Sequence, residues 1–271
     1  MTPPRVTIVV VTHNSADVLA DCLASIELNA HHCPTIVVDN ASTDTSVDIA
    51  QAAPSVTVIG AGGNEGFAKA NNRALRAIET EFALILNPDA RLTTASILEL
   101  LAAADRMPGA VAFGPKTVYS DGRLQVSFGP DLSLRSEFRQ RKLVKGVKNG
   151  KARALEQLHR ETAHAHPVDW ISGSCMLLRM SAAREAGFFD ERYFLYEEDA
   201  DLCLRLRQAG GHVMFVPQSV VIHELGTSMA KESKRARDAY DDSHRLYYRL
   251  HRSPLEQKLL NALIAVGRII R

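Results

Sequence analysis

Five clusters of oxygen- and nitrogen-bearing side chains stand where apolar runs give way to polar residues. Thr12-His13-Asn14-Ser15 follows Val6 to Val11, and Asp39-Asn40-Ala41-Ser42-Thr43-Asp44 follows Thr35 to Val38. Asn87-Pro88-Asp89-Ala90 follows Phe82 to Leu86. Tyr196-Glu197-Glu198-Asp199-Ala200-Asp201 opens a helical pattern, and His223-Glu224-Leu225-Gly226-Thr227-Ser228 follows a last apolar strand. An Asp such as Asp39 after a second strand accepts hydrogen bonds from a ribose hydroxyl or a base N–H. A lone carboxylate such as Asp89 at a strand end suits a hard cation, which takes oxygen ligands and is often shared with phosphates. His223 is a second candidate metal ligand, and Thr227 and Ser228 can donate to phosphate oxygens. Glu197, Glu198, Asp199 and Asp201 crowd four negative charges into five positions, more than a helix start requires. Such crowding is expected where a base or metal site justifies its cost.

Plainer readings compete at each cluster. Asn14 and Ser15 are good helix caps, and Asn-Pro-Asp makes an ordinary turn. A lone His at a strand end is more often structural, so His223 gains weight only from its company. The glycines in Gly62-Gly63-Asn64-Glu65-Gly66 have neither GxGxxG nor P-loop spacing, which weighs against NAD-binding and ATP-loop chemistry.

The elements that must position these clusters alternate. Val6–Val11, Thr35–Val38, Val56–Ile59 and Phe82–Leu86 are short apolar runs rich in β-branched residues, hence buried strands. Helices are predicted between them: from Ser15 with Val18, Leu19, Cys22, Leu23 and Ile26 on one face, from Ser42–Asp44 to Ala53, from Phe67 to about Ile78, and from Thr94 to Met107. This order predicts an α/β fold with a doubly wound, mostly parallel sheet, whose ligands bind at the carboxyl ends of the strands.

After Phe113 the pattern changes. Val118–Val126 predicts a hairpin around Asp121-Gly122. Residues 135–161 carry nine Lys or Arg against three Glu, and read as a solvated or mobile insertion, or as an acceptor loop or a contact with anionic headgroups. A helix is expected from Glu198 to Gly210-Gly211, then short strands at Val213–Val216 and Ser219–Ile222. Ser253–Arg271 reads as a basic amphipathic helix, suited either to a membrane surface or to docking on the domain or a second copy of the chain. The chain thus divides into 1–228, with halves at 1–113 and 114–228, and a helical tail at 229–271.

With 271 residues and a net charge of +1, the chain has material for a large core and no global field pointing to nucleic acid. Cys22, Cys33, Cys175 and Cys203 form no CxxC pair. With no basic-then-apolar leader after Met1 and no run of about 20 apolar residues, a reduced, cytoplasmic setting is expected, at the inner face of the plasma membrane if the tail binds lipid.

Together the clusters resemble family 2 inverting glycosyltransferases with the GT-A fold. The resemblance spans Val6 to Ser228. It rests on Val-Val-Thr-His-Asn-Ser at 10–15, Val-Val-Asp-Asn-Ala-Ser-Thr-Asp at 37–44 and Gly-Asn-Glu-Gly-Phe-Ala-Lys-Ala-Asn-Asn at 63–72. Leu-Asn-Pro-Asp-Ala at 86–90, Trp170 to Leu178, Glu-Asp-Ala-Asp-Leu-Cys-Leu-Arg at 198–205 and His-Glu-Leu-Gly-Thr-Ser at 223–228 complete it. Each segment is weak alone; seven in order are specific. Within the family the chain most resembles bacterial rhamnosyltransferases that use dTDP-L-rhamnose to build cell-surface polysaccharides.

The resemblance implies roles, with nucleotide-sugar binding in the half at 1–113 and acceptor binding and catalysis in the half at 114–228. Thr12, Asn14 and Asp39 would hold the nucleoside, with Asn64, Asn71 and Asn72 on the donor side and Asn87, Thr227 and Ser228 toward the diphosphate. Asp89 and His223 would bind Mn²⁺ or Mg²⁺. Asp199 would be the general base with Glu198 beside it, and Trp170 and Gly173 would line the acceptor side. Partners would be a nucleotide-sugar donor and a glycan or lipid-linked acceptor. Asn87 departs from the Asp-x-Asp of many members and brings no charge to the metal. The donor stays open between dTDP-L-rhamnose and a UDP-sugar (galactofuranose, N-acetylglucosamine or glucose). A nucleotidyltransferase would need a Gly/Arg/Lys-rich loop where Thr12–Ser15 stands. A non-catalytic sugar-nucleotide module would not need Glu198-Asp199.

Overall fold

The computed structural model describes residues 3–224 and 233–265. Its centre is one nine-stranded sheet, with β1 (Val6–Thr12), β2 (Thr35–Asp39), β3 (Val56–Gly60) and β4 (Phe82–Leu86) running parallel in the order β3-β2-β1-β4. The sheet continues through β10 (Cys175–Arg179), β6 (Ala110–Val118), β11 (His212–His223) and β5 (Ala90–Leu92), with β8 (His166–Pro167) paired to β11. β10 is antiparallel to both β4 and β6. The amino end of β10 therefore meets the carboxyl ends of β1, β2 and β4: Cys175 lies opposite Leu86, Val10 beside Leu86, and Thr12 beside Asp39.

Alternate side chains of these strands feed two cores, as the period-2 geometry of a strand requires. Ile8, Val10, Phe82 and Leu84 face one side with Leu19, Leu23 and Ile26 of α1 (Ala16–Ala30) and Leu100 of α4 (Ser96–Arg106). Val9, Val38, Ala83 and Ile85 face the other, with Ala70 and Ala74 of α3 (Phe67–Leu75) and Leu202 and Leu206 of α8 (Glu198–Gln208). Burial on both faces explains why β1 and β4 read as continuous apolar runs. The four cysteines are buried and unpaired.

Four expectations change in detail. The predicted hairpin at 118–126 is a tight turn held by one bridge, Val118 with Leu124, rather than a ladder. The two strands expected over 213–222 are one strand, β11, interrupted by a bulge between Val216 and Val220. The basic segment is not a mobile insertion but a helical hairpin, α5 (Leu134–Lys148) and α6 (Ala152–Glu161). A capping box between Ser133 and Ser136 starts α5, Leu143 and Leu158 are buried, and Gly146 lets the helices cross where a Cβ would lie 2.6 Å from the Ala154 Cβ. Finally, the tail has its own helix α9 (Ser233–His251) before α10 (Pro254–Ala265). Tyr247, Tyr248 and Leu260 join the main core, whereas Leu255 and Leu259 face solvent. Residues 266–271 lie outside the described residues.

Candidate active site

A cleft of about 710 Å³ opens at the sheet edge where the strand ends meet. Its lining comes from the turns after β1, β2 and β4, the segment before β10, the start of α8, the end of β11, and helices α5 and α9.

On one side of the cleft the turns after β1 and β2 are laced together. Asn14, in a left-handed conformation (φ 51°), accepts from the Thr43 amide at 2.7 Å, while its own amide donates to Ser42 Oγ at 3.0 Å. Asp39 accepts from the Ser42 amide. Asn40 clamps the glycine loop: its Nδ2 donates to Asn64 Oδ1 at 3.1 Å and its Oδ1 accepts from the Glu65 amide at 2.8 Å. Asn14, Asn64 and Asn87 line the cleft, as do His13 and Asn40.

Thr12 and Asp39 sit buried behind that lining; Thr12 Oγ1 has no hydrogen-bond partner among the described residues. Asn71 and Asn72, expected on the donor side, are turned inward. Asn71 donates to the Phe67 carbonyl within its own helix. Asn72 donates to the Phe189 carbonyl and Glu191, and accepts from the Phe189 amide, so its side chain is spent pinning a loop. Thr227 and Ser228 lie outside the described residues.

Asp89 and His223 meet across the pairing of β5 with β11, where Ala90 lies opposite His223 and the Glu224 amide donates to the Asp89 carbonyl. His223 Nε2 lies 3.1 Å from Asp89 Oδ1, with both side chains nearly buried. Gln125 holds the ring from behind: its Oε1 is 3.2 Å from Nδ1 and its Nε2 donates to the His223 carbonyl. A proton on Nδ1 leaves the Nε2 lone pair facing a carboxylate oxygen that has no hydrogen-bond partner among the described residues. Two facing electron-pair donors at this spacing fit a divalent cation that would take further oxygen ligands from elsewhere. A nitrogen in the set makes Mn²⁺ at least as suitable as Mg²⁺. Among the described residues, no third His, Cys, Asp or Glu completes the group.

The acidic cluster resolves into four different states. Asp201 is paired with Arg205 at 2.7 Å and His251 at 2.7 Å. Glu197 lies 3.0 Å from His244. Glu198 is buried, and burial together with the Asp199 charge pushes its carboxyl well above the ordinary range. Asp199 is held by backbone amides rather than by a basic side chain among the described residues. Burial and the Glu197 charge raise it to about 6, against the opposing amides of Gly173 and Ala200, each donating at 2.8 Å. A carboxylate poised there is ionised near pH 7 yet basic enough to accept a proton. Tyr196 and Glu197 hold this turn in consecutive left-handed conformations (φ 72° and 65°), a strain of about 1–3 kcal/mol each that functional turns commonly store.

Trp170 and Gly173 line the cleft with Asp199. Glu137, Gln140 and Arg141 of α5 and Tyr240 of α9 complete that wall. Sequence reasoning left these four without roles. The Ser133–Ser136 cap was the available signal for α5; nothing local in Tyr240 announces a cleft position.

Residues 7–164 match the model of Glycosyl transferase family 2, and residues 153–264 that of Glycosyl transferase family group 2. The chain belongs to glycosyltransferase family 2. This transferase is 32% identical over 248 residues to an N-acetylglucosaminyl-diphospho-decaprenol L-rhamnosyltransferase of Mycobacterium tuberculosis (strain H37Rv), across 83% of this chain and 78% of that one. It is 30% identical over 228 residues to rhamnosyltransferase WbbL of Escherichia coli (strain K12), across 80% and 82% of the two chains. Its fold is that of mannosyltransferase PcManGT from Pyrobaculum calidifontis, solved with GDP-Man and Mn²⁺: TM-score 0.61 at 19% identity, over 97% of this chain and 69% of that one. The family and fold implied by the sequence motifs are borne out.

Proposed function

We propose that this glycosyltransferase moves L-rhamnose from a nucleoside diphosphate donor, dTDP-L-rhamnose, onto a hydroxyl of a lipid-linked or cell-surface glycan, with inversion at the anomeric carbon. The rhamnosyltransferase names of its relatives support the sugar and the acceptor class. The observation that carries the chemistry is Asp199, a carboxylate of the acidic cluster with no basic partner among the described residues, raised to about 6 and facing the same cleft as Asp89 and His223.

In this reading His13, Asn14, Asn40 and Asn64 hold the nucleoside end, and Asp89 and His223 hold a divalent cation. Holding a cation there, Asp89 and His223 would place positive charge where the leaving diphosphate becomes more negative. Asp199 Oδ takes the acceptor hydroxyl's proton as its oxygen bonds to the anomeric carbon. The bond from that carbon to the diphosphate oxygen breaks, and the electron pair leaves with the diphosphate. The Gly173 amide keeps Asp199 aimed at the acceptor, and burial pushes Glu198 beside it toward its neutral form. Attack from the face opposite the leaving group inverts the configuration.

The acceptor wall supports a lipid-linked acceptor. Arg135, Phe138, Arg139, Lys142 and Lys145 recur at three- and four-residue steps and form an exposed stripe on α5, about half a turn away from its cleft face of Ser136, Glu137 and Gln140. Phe138 is 70% exposed, and the stripe holds no acid. Cations around an exposed aromatic ring suit anionic headgroups. Among the described residues no helix is long and apolar enough to cross a membrane, so the contact proposed is peripheral.

A donor screen read by mass spectrometry, with and without Mn²⁺, tests the function. Release of dTDP coupled to a rhamnosylated lipid diphosphate acceptor is expected. Release of UDP from a UDP-sugar, with none of dTDP, would replace the donor.

A further inference from the structure

His244 of α9 is fully buried behind the cleft wall. Its Nδ1 lies 3.0 Å from Glu197 Oε1 and its Nε2 3.0 Å from Glu137 Oε2. Both carboxylates line the cleft, one from the left-handed turn before Asp199 and the other from α5. The ring stacks on Tyr240 at 5.5 Å and packs on Tyr248 at 5.1 Å, and the Tyr248 hydroxyl donates to the other oxygen of Glu137. Ser243, the next residue, donates to the Leu195 carbonyl at 2.8 Å, a second tie from α9 to the same turn.

A neutral imidazole has one N–H and can donate to one carboxylate only. Nδ1 hydrogen-bonds Glu197, while Nε2 lies at ion-pair distance from Glu137 without an aligned hydrogen bond, so both carboxylates are balanced together only by the imidazolium. Without that cation, two buried acids would face each other and a third, Asp199, across a low-dielectric gap. Arg141 of α5 is the further basic residue facing this group, and Tyr240 and Tyr248 are neutral at ordinary pH.

Resting on the reading of Asp199 as the base, we propose that His244 is a positioning residue that, as a buried imidazolium, ties the base-bearing turn to α5 and screens Asp199 from the charge of Glu197. The bridge joins three segments far apart in sequence, so it sets both the shape of the acceptor wall and the proton affinity of the base. Burial of the ring disfavours its charge, but the carboxylates of Glu137 and Glu197 outweigh burial and lift it to about 9. Glu197 in turn is among the groups that raise Asp199.

The test compares wild type with His244→Gln, Glu197→Gln and the double variant, using pH profiles of transfer and the ring signals of histidine-labelled protein in NMR. In wild type the His244 ring should titrate near 9, and Glu197→Gln should bring it down by about one pH unit or more. In His244→Gln the acid limb of kcat should move up by about half a pH unit, a roughly threefold change in proton affinity, because the Glu197 charge is unscreened. KM for the acceptor should rise more than KM for the donor. The double variant should return the limb toward wild type. A ring titrating at the ordinary value, or an acid limb that stays put in a folded His244→Gln, overturns the proposal. Should that variant not fold, Glu197→Gln alone decides: its limb must fall, and an unmoved limb is a refutation. The ring titration needs no turnover, so a chain inactive with every donor would fail the functional reading while leaving the bridge measurable.

Discussion

The Gly173 amide donates to Asp199 Oδ2 at 2.8 Å, so the turn entering β10 and the first turn of α8 converge on one carboxylate. Asp199→Asn keeps the size and can still accept from Gly173, but it cannot take a proton. Transfer should fall by about 10² to 10⁴, the usual worth of a general base, with donor affinity nearly unchanged by calorimetry. Near-normal turnover would reject the assignment. Because the base acts ionised and sits raised at about 6, the wild-type rate should fall as pH drops through that value.

Asp89→Ala and His223→Ala each remove one of the two facing donors at 3.1 Å. Donor affinity measured with Mn²⁺ should weaken about tenfold or more, a cost near 1.4 kcal/mol, and should then respond little to EDTA. Wild type should lose affinity on chelation. Equal donor affinity with and without EDTA in wild type would remove the cation from this site. Gln125→Ala, which frees the ring, should give a smaller loss in the same direction.

Gly66 starts α3 at φ 86°, and a Cβ there would lie 2.2 Å from the Phe194 carbonyl oxygen, which accepts from the Phe67 amide at 2.7 Å. A backbone atom cannot swing aside like a side chain. Gly66→Ala should therefore displace the 188–197 turn and cost about 2–4 kcal/mol, combining left-handed strain with the lost contact. At about 2–4 °C per kcal/mol, Tm in a thermal melt should drop by roughly 5–15 °C. An unchanged Tm would show that the turn relaxes freely.

The folded state also carries a pH signature. His244 is raised from 6.5 to about 9, so its contribution is complete below the unfolded value and is lost as pH rises through about 9. The full contribution is on the order of 3 kcal/mol, shared with Glu137 and Glu197 as one coupled group. Urea midpoints should fall between pH 7 and 10 in wild type, and less steeply in His244→Gln. Parallel curves would assign the alkaline loss to other groups.

The reach of the sequence differs between the two halves of the site for a physical reason. β1 and β4 pack on both faces, so their apolar runs announced themselves, and the turns after them carry Asn14 and Asp89 at fixed offsets. Asp199 stood out by charge density alone. What sequence pattern could not supply was pairing at long range. That Asn72 is consumed by Phe189, 117 positions away, or that Glu197 is neutralised by His244, 47 positions away, depends on packing rather than on local pattern. The basic segment misled because its helix faces solvent on one side, where charge hides amphipathicity. Its inward residues, Leu143 and Leu158, are few but sufficient once docked.

The exposed stripe of α5 gives the last expectation. Arg139, Lys142 and Lys145 make no ion pair with any described acid, and each is exposed on the face of α5 that carries Phe138. A basic residue near an anionic surface is worth about 1 kcal/mol. Replacing the three by Glu removes that attraction and adds repulsion, so co-sedimentation with phosphatidylglycerol vesicles should drop at least about a hundredfold in affinity. Neutral phosphatidylcholine vesicles should bind both proteins weakly. Transfer to a short, water-soluble acceptor should be kept, because the cleft face of α5 is untouched, whereas transfer to a long-chain lipid acceptor in vesicles should fall. Equal binding of the charge-reversed protein to anionic vesicles would move the contact elsewhere, and Leu255→Asp with Leu259→Asp on the solvent side of α10 would then be the variant that abolishes it.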